Sequence, residues 1–141
     1  MIFYAIYNAP LLLTAHPSST TEMSIGFVDN VMFLAMARSL KEAHKVLADM
    51  MERTQGSFDW SQQHNFPFKL TKLVLMNFPH SLAVDDPSSL TLLHTNSDRP
   101  QTIQSVAAVP TYRYLGVYFD SKLCWSAHAQ KVATKATWWS L

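Results

Sequence analysis

The stretch MSIGFVDNVMFLA, residues 23–35, decides how the rest of the chain is interpreted. Two apolar runs with high β-propensity, 23–28 and 31–35, lie on either side of Asp29 and Asn30. Asp and Asn tolerate the left-handed backbone that a tight hairpin turn requires. The sequence therefore predicts a β-hairpin with Asp29 and Asn30 at or beside its turn.

A helix is predicted directly after this hairpin. Ser39 followed by Glu42 forms a capping box, the usual signature of a helix N-terminus. The apolar residues that follow fall on one helix face, and they are Leu40, Ala43, Val46, Leu47, Met50 and Met51. Gly56 is the predicted stop of this helix, and Asp59 is the predicted cap of a short helical turn over 60–64.

Further strands and two terminal helices complete the predicted elements. Strands are expected over 72–78, 90–93, 102–106 and 112–119, with most of 79–100 as loop. The apolar run 2–13 predicts a buried helix that Pro10 ends, and Ser126 is expected to cap a final helix. The order of elements predicts an α+β fold with a largely antiparallel sheet.

Composition narrows the possible classes of protein. The chain has 141 residues, which is enough for one domain, and 48% of them are hydrophobic, which excludes a disordered chain. A net charge of +1 excludes bulk electrostatic attraction to nucleic acid or to an anionic membrane. One cysteine excludes an internal disulfide framework and favours an intracellular location, in the nucleus or the cytoplasm.

Most clusters that suggest chemistry have a simpler interpretation. The six histidines are at least fourteen positions apart, which is not zinc-ligand spacing. Cys124 is expected to be a core or surface cysteine rather than a catalytic thiol, although His128 lies four positions on. The Asp85-Asp86-Pro87 sequence is typical of a turn. Asp29 has two interpretations: a plain turn residue, or a carboxylate at a rigid hairpin tip that holds Mg²⁺ against a nucleoside triphosphate.

Residues in four segments resemble the reverse transcriptases of non-LTR (LINE-type) retrotransposons, in the order that this family has. Residues 25–35 resemble the catalytic hairpin, and residues 3–11 resemble the helix after the family's substrate-binding motif. The stretch 68–78 is similar to the palm motif that carries a lysine, here Lys72. Residues 114–117, Tyr-Leu-Gly-Val, match the primer-grip hairpin, and Asp120, Leu123, Trp125 and His128 resemble the entry into the thumb.

This resemblance implies a partial polymerase palm over 1–110 and a primer-grip hairpin with the start of a thumb over 111–141. It implies Mg²⁺ as the cofactor, with Asp29 as its ligand and Asn30 and Lys72 in catalytic positions. The implied nucleic-acid-binding residues are Arg113, Tyr114, Leu115 and Gly116. The implied partners are an RNA template, a DNA primer and the remainder of the polymerase chain, with no membrane.

The departures from the family pattern imply that this fragment is inactive alone. Asn30 stands where the family has a second aspartate, and the sequence begins after the strand that carries the first metal-binding aspartate and lacks the fingers.

Two other functions remain open. One is a non-catalytic module that binds nucleic acid or protein, whose local cations would be Lys69, Lys72, Arg113, Lys122, Lys131 and Lys135. The other is a small secreted protein whose leader is residues 1–15, although no basic segment precedes the apolar run.

Overall fold

The fold is mixed α+β, as the sequence predicts. A computed structural model of the chain describes residues 2–80, 87–96 and 99–139. The elements in chain order are α1 (Ile2–Leu12), β1 (Glu22–Phe27), β2 (Asn30–Ala35), α2 (Leu40–Glu52), α3 (Ser57–Gln63), a 3₁₀ turn (Leu70–Lys72), β3 (Ser89–Asn96), β4 (Arg99–Ala107), β5 (Thr111–Tyr114), β6 (Val117–Asp120) and α4 (Ser126–Trp139). Within these ranges the strands form three separate antiparallel pairs, β1–β2, β3–β4 and β5–β6, rather than one larger sheet.

The hydrophobic core lies where α2 and α3 meet the β3–β4 pair. Its buried residues are Met51, Phe58, Leu75, Leu90, Leu92 and Val106. Phe33 of β2 packs against this cluster, so one face of the first hairpin is joined to the core. Helix α2 presents Met50 and Met51 inward, which confirms the predicted apolar face. Its N-terminus is capped by Ser39, whose Oγ accepts a hydrogen bond from the Glu42 amide at 3.2 Å.

Gly56 does not end α2, and Asp59 does not cap α3. Helix α2 ends at Glu52 with Arg53 as its C-cap, whereas Gly56 is the N-cap of α3. A Cβ at Gly56 would lie 2.6 Å from the carbonyl oxygen of Arg53, so close backbone approach selects glycine here. Asp59 lies inside the first turn of α3, and its carboxylate accepts a hydrogen bond from the Gln55 amide at 2.9 Å.

Pro10 lies within α1 and does not end it, which corrects the prediction. The helix continues to Leu12, and the amide of Leu13 donates to the carbonyls of Ala9 and Pro10 at 3.2 Å. A proline near the end of a helix removes a single backbone hydrogen bond and has few following turns to disrupt. Helix α1 packs against β1 and α3.

The predicted strand over 72–78 is not formed. After the 3₁₀ turn, only Leu75 makes a ladder contact, a single parallel bridge to Ala108. The Leu75 carbonyl accepts the amide of Val109 at 2.9 Å. Because β3 and β4 pair with each other and β4 ends at Ala107, the segment meets a partner at only one point. The apolar run is used for core burial by Leu75, not for a sheet.

The predicted strand over 112–119 is two short strands. Tyr114 pairs with Val117, and Leu115 and Gly116 form the turn between β5 and β6 with φ angles of 48° and 89°. Positive φ at both central residues is the requirement of the tightest hairpin turns. The predicted strands over 90–93 and 102–106 are confirmed as parts of β3 and β4, which are longer. The turn expected at Asp85 and Asp86 lies outside the described residues.

The final helix, α4, is exposed over its described length. Ser126 is its first residue rather than its cap, and the Trp125 carbonyl accepts the amide of Ala129 at 2.9 Å. No residue of Ser126–Trp139 is buried, and the side chains of Trp138 and Trp139 lie in solvent. Among the described elements, β6 is the one with which α4 makes substantial contacts.

An ion pair joins the start of β1 to the end of α2. The Arg53 guanidinium donates to both carboxylate oxygens of Glu22, at 2.8 and 3.1 Å. The same guanidinium reaches the carbonyl of Thr14 and the carboxylate of Asp49. The side chains of Arg53 and Glu22 are only 16% and 10% exposed. The hydrogen bond from Arg53 is the main reason why the pKa of Glu22 lies below its ordinary value, against the opposing effect of burial.

Candidate functional site: the tip of the first hairpin

The predicted hairpin over 23–35 is confirmed. Its turn lies one residue earlier than Asp29 and Asn30, the residues most typical of a turn. Phe27 pairs with Asn30, so the two turn residues are Val28 and Asp29. Asn30 is the first residue of β2 and lies beside the turn. Val28 has a φ of 55°. A β-branched residue rarely adopts this backbone conformation, so the turn stores strain that its surroundings must offset.

Asn8 of α1 holds this turn in place. Its side-chain amide nitrogen donates to the Val28 carbonyl at 2.7 Å, and the Asn8 residue is only 8% exposed. Helix α1 also approaches the hairpin at Gly26, where a Cβ would lie 2.8 Å from the end of the Leu12 side chain. The role of Asn8 was not predicted from the sequence. Its signal was a single amide within the otherwise apolar run 2–13.

Asp29 lies in solvent at the tip. Its Oδ1 accepts a hydrogen bond from the Asn30 side-chain amide at 3.1 Å. Among residues 2–80, 87–96 and 99–139, no three His, Cys, Asp or Glu side chains are grouped closely enough to hold a metal ion. Two Mg²⁺ ions carry four positive charges, and the tip offers one carboxylate and one neutral amide. The donor set of the tip therefore does not fit a two-magnesium centre by itself.

Lys72 is exposed at the end of the 3₁₀ turn, where its backbone amide donates to the Lys69 carbonyl at 2.8 Å. Within the described ranges, no hydrogen bond, ion pair or ring contact links Lys72 to Asp29. The β5–β6 turn is likewise not linked to the tip by such contacts in the described part of the chain. The structure places the predicted site residues on three separate elements.

The predicted primer-grip residues form the β5–β6 hairpin. The Tyr114 hydroxyl is buried without a hydrogen-bond partner among the described residues, and burial raises its pKa. Leu115 is half exposed, and the space beside Gly116 is open. The Arg113 guanidinium carbon lies 5.8 Å from the centre of the Tyr118 ring, within cation–π range. This hairpin therefore presents an exposed turn next to a cation held against an aromatic ring.

A second cation contacts the same ring from α4. The Lys131 ammonium nitrogen lies 5.9 Å from the centre of the Tyr118 ring. The Tyr118 amide donates to Nδ1 of His128 at 3.4 Å, which fixes α4 against β6. The role of Tyr118 was not predicted from the sequence. Its signal is the run of aromatic residues with basic neighbours near 112–119.

Asp120 orders the connection between β6 and α4. Its Oδ1 accepts the backbone amides of Cys124 and Lys122, at 3.0 and 3.1 Å, and also the Cys124 thiol at 3.3 Å. The amide of Cys124 is the leading cause of a lowered pKa for Asp120. Next to it, the Trp125 ring packs against Phe119 at 5.6 Å between centroids. These contacts give Asp120 and the exposed Cys124 a structural role at this junction.

Comparison of the chain with protein-family models, with curated proteins and with solved structures gives no match. The helices in the described ranges are all too short or too polar to cross a lipid bilayer. The fold and the site define an α+β chain whose first hairpin exposes one aspartate in a tight turn. Asn8 of the preceding helix holds this turn by a hydrogen bond.

Proposed function

We propose that this chain is the palm-to-thumb part of a non-LTR retrotransposon reverse transcriptase and that it does not extend a primer by itself. The observation that carries the proposal is the position of Asp29, in the two-residue turn of an antiparallel hairpin with its carboxylate in solvent. The clamp from Asn8 supports the same proposal, because a metal ligand must be held in a fixed position to be useful.

The remaining residues take their proposed roles from the resemblance. Lys72 would lie near the triphosphate, where a cation offsets developing charge. Tyr114, Leu115 and Gly116 would hold the primer end, since an open turn with glycine lets a nucleic-acid backbone approach closely. Arg113 would contact a phosphate of the primer. The partners are then an RNA template, a DNA primer and the rest of the polymerase.

Charge explains why no activity is expected from these 141 residues. The family transfers a nucleotidyl group with two Mg²⁺ ions held by several carboxylates. The hairpin supplies one of these carboxylates, and Asn30 contributes no negative charge. Loss of one ligand from such a centre costs several kcal/mol, and about 1.4 kcal/mol already changes a rate tenfold. We therefore expect no extension product with Mg²⁺ or Mn²⁺ from the wild-type chain or from Asn30→Asp.

A chimera tests the proposal positively. Residues 23–35, carrying Asn30→Asp, replace the catalytic hairpin of an active non-LTR reverse transcriptase, and primer extension on an RNA template is measured. We expect metal-dependent extension that falls at least a hundredfold when Asp29 is changed to Asn. The matched control is Ser24→Ala, on the same hairpin away from the tip, which should retain activity. A folded chimera that is inactive, or one whose activity survives Asp29→Asn, refutes the role of the hairpin.

The cations around Tyr118 favour a second candidate, a module that binds single-stranded RNA without catalysis. Arg113 and Lys131 lie at the same aromatic ring, a combination that such modules use for stacking and for phosphate contact. Fluorescence anisotropy over a salt series tests it. Arg113→Gln should lower the slope of log affinity against log salt by about 0.7. Arg38→Gln, an exposed arginine outside this cluster, is the control and should leave the slope unchanged.

A further inference from the structure

A groove of about 220 Å³ lies between α2 and β3, away from the hairpin tip. Lys41 and Lys45 stand one helical turn apart on its α2 side, and both residues are exposed. Neither lysine forms an ion pair with any residue in the described ranges, and no carboxylate is among the lining residues. The groove therefore carries two positive charges that its own walls do not neutralise.

The placement of these lysines is unfavourable for α2 itself. Like charges four positions apart on a helix repel each other, at a cost of a few tenths of a kcal/mol. Lys41 also lies in the first turn of α2, where the helix dipole disfavours a cation. Lys45 has the acidic residues Glu42 and Asp49 three and four positions away, whereas Lys41 has no opposite charge at either spacing. An anion bound between the two ammonium groups would remove both unfavourable terms.

His44 and Pro87 both line the groove, and Asn77 connects them through part-buried hydrogen bonds. Nε2 of His44 lies 2.8 Å from Oδ1 of Asn77, and the Asn77 side-chain amide donates to the Pro87 carbonyl at 3.1 Å. Because the Asn77 amide nitrogen donates to Pro87, the Asn77 Oδ1 faces His44 and can accept a hydrogen bond from its Nε2–H. His44 is 7% exposed, so its ring is a fixed part of the groove. The groove thus has a preformed wall rather than one that must order on binding.

The rest of the groove is largely apolar. Ala48 and Leu90 supply carbon surface from the two elements, and Leu90 is anchored in the core. Ser89 and Thr91 of β3 also line the groove. The volume is below the roughly 300–1,000 Å³ of sites for drug-sized ligands, so the ligand is a small one.

We propose that this groove binds a small phosphate monoester with an apolar body, the phosphate between Lys41 and Lys45 and the body against Ala48 and Leu90. Two ammonium groups match a phosphate monoester, which carries nearly two negative charges at pH 7. This site is independent of the proposed polymerase ancestry, since it uses none of the residues assigned there.

The test uses the whole chain, with phenyl phosphate as the probe and amide NMR shifts as the readout. We expect saturable shifts at Lys41, Lys45 and Thr91 with a Kd below about 1 mM. Inorganic phosphate, which lacks the apolar body, and phenol, which lacks the charge, should each bind at least tenfold more weakly. Benzoate, with a single charge, should bind more weakly than phenyl phosphate.

Variants separate a built site from general attraction to positive charge. The double variant Lys41→Gln/Lys45→Gln should weaken binding at least tenfold, whereas Lys41→Arg/Lys45→Arg should retain it. The matched control Lys122→Gln/Lys135→Gln removes the same charge elsewhere and should bind like wild type. Equal weakening in this control, equal binding of inorganic phosphate, or no saturable shift at these amides up to about 10 mM would each overturn the proposal. Circular dichroism of each variant confirms that α2 is still folded.

Discussion

Replacement of Arg53 by Met tests whether the ion pair with Glu22 holds the first hairpin to α2. In the wild type, Glu22 receives two hydrogen bonds from the guanidinium and one from the His16 amide at 3.2 Å. In Arg53→Met only the His16 contact remains, and the carboxylate stays in a site where its side chain is 10% exposed. The variant therefore leaves a charge that is largely removed from water and has lost its partner.

The expected loss of stability follows from this burial. Removal of one partner of a buried ion pair costs about 3–5 kcal/mol. Because both side chains retain some exposure, we expect about 3 kcal/mol at pH 7. Glu22→Gln keeps an acceptor for Arg53 but removes the charge, so its cost should be about 1 kcal/mol. The contact with Asp49 adds little, since the Asp49 side chain is 60% exposed.

The dependence on pH distinguishes this explanation from a loss of packing. The pKa of Glu22 is lowered in the folded state, so the stabilisation by the ion pair is present above the ordinary value of 4.5. It is lost as the pH falls through the lowered pKa. In Arg53→Met the lowering of the Glu22 pKa by the guanidinium is lost, and burial then opposes the remaining contribution of His16. The difference in unfolding free energy between wild type and variant should shrink below pH 4.5.

Urea unfolding followed by circular dichroism at pH 7 and at pH 3.5 measures both effects, at low micromolar protein concentration. The control is Arg38→Met, which removes an exposed arginine and should change stability by less than about 0.5 kcal/mol. A cost below about 1 kcal/mol for Arg53→Met at pH 7, or the same cost at both pH values, refutes the reasoning.

Three further predictions concern the hairpin and the glycines. Ile25 lies on the exposed face of β1, so Ile25→Thr should reduce self-association in analytical ultracentrifugation with little loss of stability. Phe33 packs against the core, so Phe33→Thr should cost about 3 kcal/mol of unfolding free energy in urea. Asn8→Asp replaces the donor to the turn with a charged acceptor and should cost at least about 2 kcal/mol; unchanged stability would contradict the clamp. Gly56→Ala forces a Cβ against backbone carbonyls, whereas at Gly116→Ala only backbone strain of about 1 kcal/mol opposes the change. Gly56→Ala should therefore lower stability more in thermal unfolding than Gly116→Ala does. The reverse order would exclude close backbone approach as the reason for glycine at position 56.

Local sequence signals were sufficient where an element is stabilised by its own residues. The first hairpin follows from two β-prone runs around a turn former, and α2 follows from the Ser39 cap and its apolar face. The candidate residue Asp29 was found for the same reason, since a turn between two apolar strands is readable from neighbours in sequence.

Features that depend on distant partners were not predictable in this way. The turn is shifted to Val28 and Asp29, and the clamp on its carbonyl comes from Asn8, twenty positions earlier. The role of Tyr118 also needed the structure, because the cation that joins Arg113 at its ring comes from the next helix.

By itself, the sequence determined the α+β class, the hairpin over 23–35 and the capped helix after it, because hydrogen bonds and side-chain periodicity within a few residues specify them. Only the tertiary structure decided that the run after Lys72 packs into the core rather than forming a strand, that the described strands form three separate pairs, and that Arg53 contacts Glu22 across 31 positions. Strand pairing and buried charge depend on which surfaces meet in space. The neighbours of a residue in sequence do not specify which surface will cover it, and the free energy of its burial depends on that surface.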